Sequence, residues 1–207
     1  MQTSATLTAA LLVLGLFFGV DDAWSAEGPR LAIVPWQAVT PGQPFRASPL
    51  NVFWIPASLE DFRHSELLSF RPLLEYDSQC VGLKVLRADD SERMQQLGIT
   101  GELPAAVLTS ASGVVLSRVE RRNGDLTGPA VDQALRNELH SREESAARDL
   151  DDAPRKLAVG DREGAVELYR RVCEQRCFVP RHAREAERAL HRLGVRSTAD
   201  AHDAKPR

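Results

Sequence analysis

The sequence predicts an α/β fold: a mixed β-sheet flanked by helices, followed by a small all-α segment. Three observations carry this reading. Short β-branched and aromatic runs alternate with helix-compatible runs over residues 31–100, the pattern of β-α-β units. Leu97–Val119 then reads as strand, turn, strand. Pro104 stands at its entrance, Ala105–Leu108 is apolar, Thr109-Ser110-Ala111-Ser112-Gly113 supplies turn chemistry, and Val114–Val119 is apolar again. Beyond residue 140 only helical periodicity remains.

The chain opens on a targeting segment. Ala9–Val20 is an uninterrupted apolar run, at about 12 residues too short to span a bilayer comfortably. Asp21-Asp22 ends it, and Ala23-Trp24-Ser25 places small residues at −3 and −1 of a cleavage site. Residues 1–25 therefore read as a signal peptide, with an uncleaved N-terminal anchor as the alternative. No Cys follows the run, which argues against a lipoprotein anchor. Export to the periplasm or beyond follows, hence an oxidising compartment and no membrane contact after cleavage.

Leu31–Trp36, interrupted by Pro35, reads as an edge strand, and Asn51–Ile55 (NVFWI) as a core strand ended by Pro56. Ser58 stands where a helix N-cap belongs, with Glu60 and Asp61 in the first turn. Leu59, Phe62, Leu67, Leu68 and Leu73 form one apolar face, and Pro72 should kink or split that helix. Cys80–Leu86 is the next strand, Arg87–Ser91 a polar turn, and Glu92–Leu97 a short helix that Gly98 can cap. After the hairpin comes a loop, Arg121–Gly128. Pro129–Leu139 is then an amphipathic helix with Val131, Leu135 and Leu139 at i, i+4, i+8.

With these elements in place, residues Leu31–Leu139 resemble the thioredoxin fold. The matching features are the Asn51-Val52-Phe53-Trp54-Ile55 strand, a proline-kinked helix, the Gly98-Ile99 pair after a short helix, and Leu103-Pro104 opening an apolar strand. The resemblance implies a thioredoxin-like mixed sheet over residues 31–140 and a cis Leu103–Pro104 bond beside the family's active site. It also implies a Cys-x-x-Cys pair at the N-terminus of the helix after the core strand, where the helix end lowers a thiol's pKa. Here the corresponding window is Ser58-Leu59-Glu60-Asp61, or His64-Ser65-Glu66-Leu67 if anchored on Pro72. No cysteine lies between Ala26 and Gln79. Serine neither ionises usefully nor forms a disulfide, so thiol exchange at the usual place is excluded. A Ser58/His64 hydrolase is also disfavoured: six residues apart on one helix the two face different sides, and no G-x-S-x-G motif is present.

Residues 141–195 carry helical periodicity. Glu143–Asp152 is acidic and Ala-rich, a linker or helix start, and Gly160-Asp161 is a helix–helix turn. Ala165, Leu168, Tyr169 and Val172 form an apolar stripe, Pro180 stops that helix, and Ala183–Leu193 is the next. With these features residues 141–195 resemble a tetratricopeptide-like helical segment; such arrays need about three repeats to stand alone, so this segment is expected to dock on the α/β domain, to dimerise or to bind a partner. The tail 196–207 is expected to be disordered.

The three cysteines are Cys80, Cys173 and Cys177. Cys80 opens a buried strand and reads as a small hydrophobe. Cys173 and Cys177, at i and i+4, are expected to form a disulfide if the helix end distorts. A metal site using them with His182 lacks convincing further ligands. Net charge is −3, which selects neither nucleic acid nor a membrane surface. Residues 155–207 carry 13 Lys+Arg against 8 Asp+Glu, which reads as a solvated helical surface. Tyr169 and Phe178 are too few aromatics for nucleic-acid stacking.

The expected function is therefore that of an exported, redox-inactive protein which binds a protein or extended peptide, as a scaffold or chaperone-like factor, without a cofactor. Peptide main chain can pair along the cis-proline edge, and the candidate contact residues are Trp54, Ser58, Asp61, Leu103 and Pro104. The alternative is a thiol–disulfide oxidoreductase using Cys173/Cys177 or Cys80. Self-association as a homodimer stays open.

Overall fold

The computed structural model describes residues 33–40, 48–77, 79–119, 121 and 123–195. The expected signal peptide and C-terminal tail lie outside them. Five strands form one mixed sheet in the order β1-β3-β2-β4-β5: β1 (Gln37–Val39), β2 (Leu50–Ile55), β3 (Val81–Leu86), β4 (Ala105–Ser110) and β5 (Val115–Val119). β1, β3 and β2 run parallel, while β4 lies antiparallel to both β2 and β5.

β2 is buried along its whole length, as a central strand covered on both faces must be. Its alternation sends Leu50, Val52 and Trp54 into one core and Phe53 and Ile55 into the other. The first core is covered by α1 (Leu59–His64), α2 (Pro72–Asp77) and α4 (Gly128–Ala158). The second is covered by α3 (Ser91–Gln96).

The described part of the apolar run before β1, residues 33–36, does not itself form a strand. Pro35 has no N–H to give to a ladder, and the strand begins only at Gln37. The run is pinned sideways instead: Val34 N–H donates to Leu68 O at 2.8 Å, and Trp36 Nε1 donates to Leu67 O at 2.8 Å.

Pro72 splits its helix rather than kinking it. A 3₁₀ turn at Glu66–Leu68, opened by Ser65, intervenes, and Pro72 starts α2. The α3 N-cap is Asp90, whose carboxylate accepts from Arg93 N–H. Gly98 closes that helix at φ +60°, where a side chain would be strained and would also meet the Arg118 guanidinium.

Residues 143–152, read as a linker or a helix start, are helical: they belong to α4, one 31-residue helix that includes Pro154 and runs well past the expected end at Leu139. Ala146 and Ala153 are fully buried against α5 (Arg162–Glu174) and α6 (Pro180–Arg192). Intrahelical pairs such as Arg148–Glu144 and Arg155–Asp152 support the exposed side. At its start α4 has no side-chain cap from Thr127. Glu66 supplies one across space, accepting from Gly128 N–H. Residue 128 must be glycine, because a Cβ there would fall 2.4 Å from the Phe70 ring.

The expected stripe Ala165, Leu168, Tyr169 and Val172 is buried in the helical core. Pro180, however, begins α6 instead of ending α5. α5 already stops at Glu174, and residues 175–179 form a turn. Cys177 therefore sits outside the helix, and its spacing from Cys173 no longer places the two on one face.

Candidate functional site

β2 and β4 bring the candidate residues together. Their antiparallel register pairs Ile55 with Ala105. The segment leaving β2, Pro56–Ser58, therefore lies beside the segment entering β4, Leu103–Pro104. The Leu103–Pro104 peptide is cis, as the resemblance implies.

At the head of α1, Ser58 is the N-cap. Its Oγ accepts from Asp61 N–H at 3.0 Å, and Asp61 Oδ2 accepts from Ala57 N–H at 2.8 Å. The two candidate side chains thus cap the helix between them. His64 Nδ1 meets Glu60 O at 2.9 Å, not Ser58, so the chain forms no Ser/His pair here.

Trp54 is corrected from binding residue to core residue. It is fully buried, stacked on Phe62 with 5.2 Å between ring centroids and edge-on to Trp36 at 5.2 Å. Burial follows because β2 is a central strand covered on both faces, and parity places Trp54 with Leu50 and Val52 in the first core. Its indole N–H has no partner among the described residues.

Leu103 and Pro104 remain half-exposed. Sequence reasoning missed the group that attends them. Arg121 Nη1 donates to Leu103 O at 3.0 Å while its other amino group pairs with Glu102. The Leu103 carbonyl therefore already has one hydrogen-bond partner within the chain.

On the other side of the α1 head the surface is apolar. A cleft of about 520 Å³ opens between α1 and the carboxyl end of β3, lined chiefly by Pro56, Leu59, Phe62, Val85, Leu86 and Ala88. Leu59 stands beside it 64% exposed. The Arg87–Asp89 ion pair lies on its rim, and the Arg87 guanidinium holds the Asp89 carboxyl below the usual carboxylate range. A crevice outside the carboxyl ends of parallel strands is where open α/β sheets accept ligands. Leu59 was assigned to a buried helical face. Its position directly after the N-cap, projecting from the head of a six-residue helix, accounts for its exposure.

The cysteines do not pair as expected. Cys80 is joined to Cys177, with a Cα–Cα distance of 6.0 Å, and the expected Cys173–Cys177 disulfide is not formed. The turn after Glu174 swings Cys177 away from α5 towards the start of β3. Cys80, at φ +62°, occupies the left-handed turn just before that strand. Cys173 stays behind as a buried free thiol with Sγ 3.8 Å from Ala183 O. Burial is the main cause pushing its pKa up to about 11, so at neutral pH it is a protonated, poor nucleophile.

Among the described residues no three His, Cys, Asp or Glu side chains are grouped to hold a metal ion, and no helix is long and apolar enough to cross a membrane. No family model, no curated protein and no solved structure matches the chain.

Proposed function

We propose that this chain is an exported, redox-inactive protein of thioredoxin-like architecture that holds other polypeptides as a scaffold or chaperone-like factor. The observation that carries this reading is the exposed Leu59 over an apolar cleft, beside a cis-proline edge and at the helix head where the family's thiols would stand. Strand order and direction in the sheet support the architecture, as does the cis bond opening β4. The Gly160-Asp161 turn and the buried small Ala165 support a tetratricopeptide-like reading of residues 141–195. The disulfide fits an oxidising compartment.

An apolar side chain of the partner would enter the Leu59 cleft, and its main chain would cross the helix head towards Leu103. Because Arg121 already satisfies the Leu103 carbonyl, the cleft contributes more to binding than main-chain pairing does. Leu59→Asp is expected to weaken binding of a reduced, alkylated unfolded polypeptide by about tenfold or more, the scale set by burying one leucine side chain. Equilibrium binding by fluorescence anisotropy checks this. Unchanged affinity in the Leu59→Asp protein would remove the cleft from the function.

A further inference from the structure

α6 carries a second surface, unrelated to the cleft. Arg181, Arg184, Arg188 and Arg192 are all exposed and recur at i, i+3, i+7 and i+11. At about 100° per residue they fall within an arc of about 80°, and they extend for about 17 Å along the helix. Nearby arginines are neutralised within the fold: Arg171 pairs with Asp149 and Arg176 with Glu187. The four of the stripe have no carboxylate partner among the described residues. Arg184 Nε donates to Pro180 O at 3.0 Å and Arg188 Nε to Arg184 O at 3.3 Å, bonds made through Nε alone. Glu185 and His191 are the other titratable groups on this exposed side.

We propose that this stripe is a docking face for an anionic phospholipid bilayer, held through the lipid phosphodiester groups. Three features favour that occupant. The exposed arc consists only of Arg, Glu and His, so it lacks the apolar or aromatic centre of a protein interface. It is the convex side of a helix, matched to a broad charged surface rather than to a pocket, and guanidinium groups suit phosphate oxygens. A second copy of this chain is a poor match, because much of the acidic charge on α4 is already spent: Glu138, Glu144, Asp149 and Asp152 all have basic partners. The expectation of a simple solvated face, with no membrane contact for the mature protein, changes accordingly.

The test is co-sedimentation of the full chain with phosphatidylglycerol/phosphatidylcholine vesicles and with phosphatidylcholine vesicles alone. Binding to the mixed vesicles that weakens with added salt is expected, with about a fivefold loss for each arginine changed to Gln. The variant Arg184→Gln/Arg188→Gln should lose binding. Arg148→Gln/Arg155→Gln, which removes the same charge from two ion-paired sites on α4, should not. Equal binding to both vesicle types, or equal loss in both variants, would overturn the proposal. So would tighter binding of polyglutamate or duplex DNA than of the mixed vesicles at the same salt, since the occupant would then be an acidic protein or a nucleic acid. Circular dichroism of the variants identifies any loss due to unfolding, and Arg188→Lys, which keeps the charge, should bind within about twofold of the parent chain.

Discussion

Replacing Cys80 and Cys177 together by serine is expected to lower stability by about 4–5 kcal/mol, a fall of about 10–15 °C in Tm. The two cysteines are 97 residues apart in sequence, so the bond closes a long loop and removes much of the entropy of the unfolded chain. It also joins two bodies of the fold. Cys80 sits at the start of β3 in the sheet, and Cys177 lies in the turn between α5 and α6. Phe178, next to Cys177, packs against both the sheet core and the helical core, with the Arg142 guanidinium 4.7 Å above its ring. The disulfide therefore fixes α5 and α6 against the domain that carries the cleft, a link otherwise made by α4 and these side-chain contacts. The double variant is the right comparison, because a single change leaves a thiol that can pair with Cys173. Thermal unfolding of the oxidised protein and the variant measures the effect. Cys173→Ser, which breaks no covalent bond, should cost much less, about 1–2 kcal/mol for burying a hydroxyl in place of a thiol. Equal losses in the two proteins would mean that the disulfide contributes little.

Trp54→Ala is expected to cost about 3–5 kcal/mol, the range for emptying a large aromatic from a closed core. Trp54 has no exposed surface and is held between Trp36 and Phe62, so its removal leaves a cavity that the rigid β2 backbone cannot fill. Trp54→Phe should cost less, and its unpaired indole N–H means that no hydrogen bond is lost with it. Chemical denaturation gives the free energies. Affinity for an unfolded polypeptide separates the two roles of this residue: Trp54→Phe should leave it unchanged. A large affinity loss in a stable Trp54→Phe protein would return Trp54 to the binding surface.

Local signals made much of the sheet legible from the sequence. Asn51–Ile55, ended by Pro56, and Cys80–Leu86, ended by the polar turn at Arg87, are runs of strand length that fall on β2 and β3. Ser110–Gly113 marks the hairpin turn by composition alone. Leu103-Pro104 could be placed because it opens β4 in the order the fold requires. What escaped depended on distant partners. The acidic, alanine-rich residues 143–152 read in isolation as either a linker or a helix start, and the burial of Ala146 and Ala153 against α5 and α6 goes with their place inside one long helix. Cys177 pairs across 97 residues with Cys80, which no local spacing reveals. In the candidate site, Ser58 and Asp61 were legible as a cap, but their mutual engagement leaves them little to offer a ligand. Trp54 was placed on the binding edge because what covers it, Trp36 and Phe62, comes from segments outside β2 that no pattern within the strand reveals. Arg121 was missed because a loop residue seventeen positions after Pro104 carries no mark of the Leu103 carbonyl it covers.

Whether the protein binds polypeptides or exchanges their disulfides is tested most directly by turnover. The full oxidised chain is added to insulin and dithiothreitol, and the reduction of insulin disulfides is followed. With no thiol at the head of α1 and Cys173 buried and protonated, the expected rate equals that of dithiothreitol alone and is the same for Cys80→Ser/Cys177→Ser. A catalysed rate that disappears in that variant would contradict the binding role and make the Cys80–Cys177 pair a redox centre.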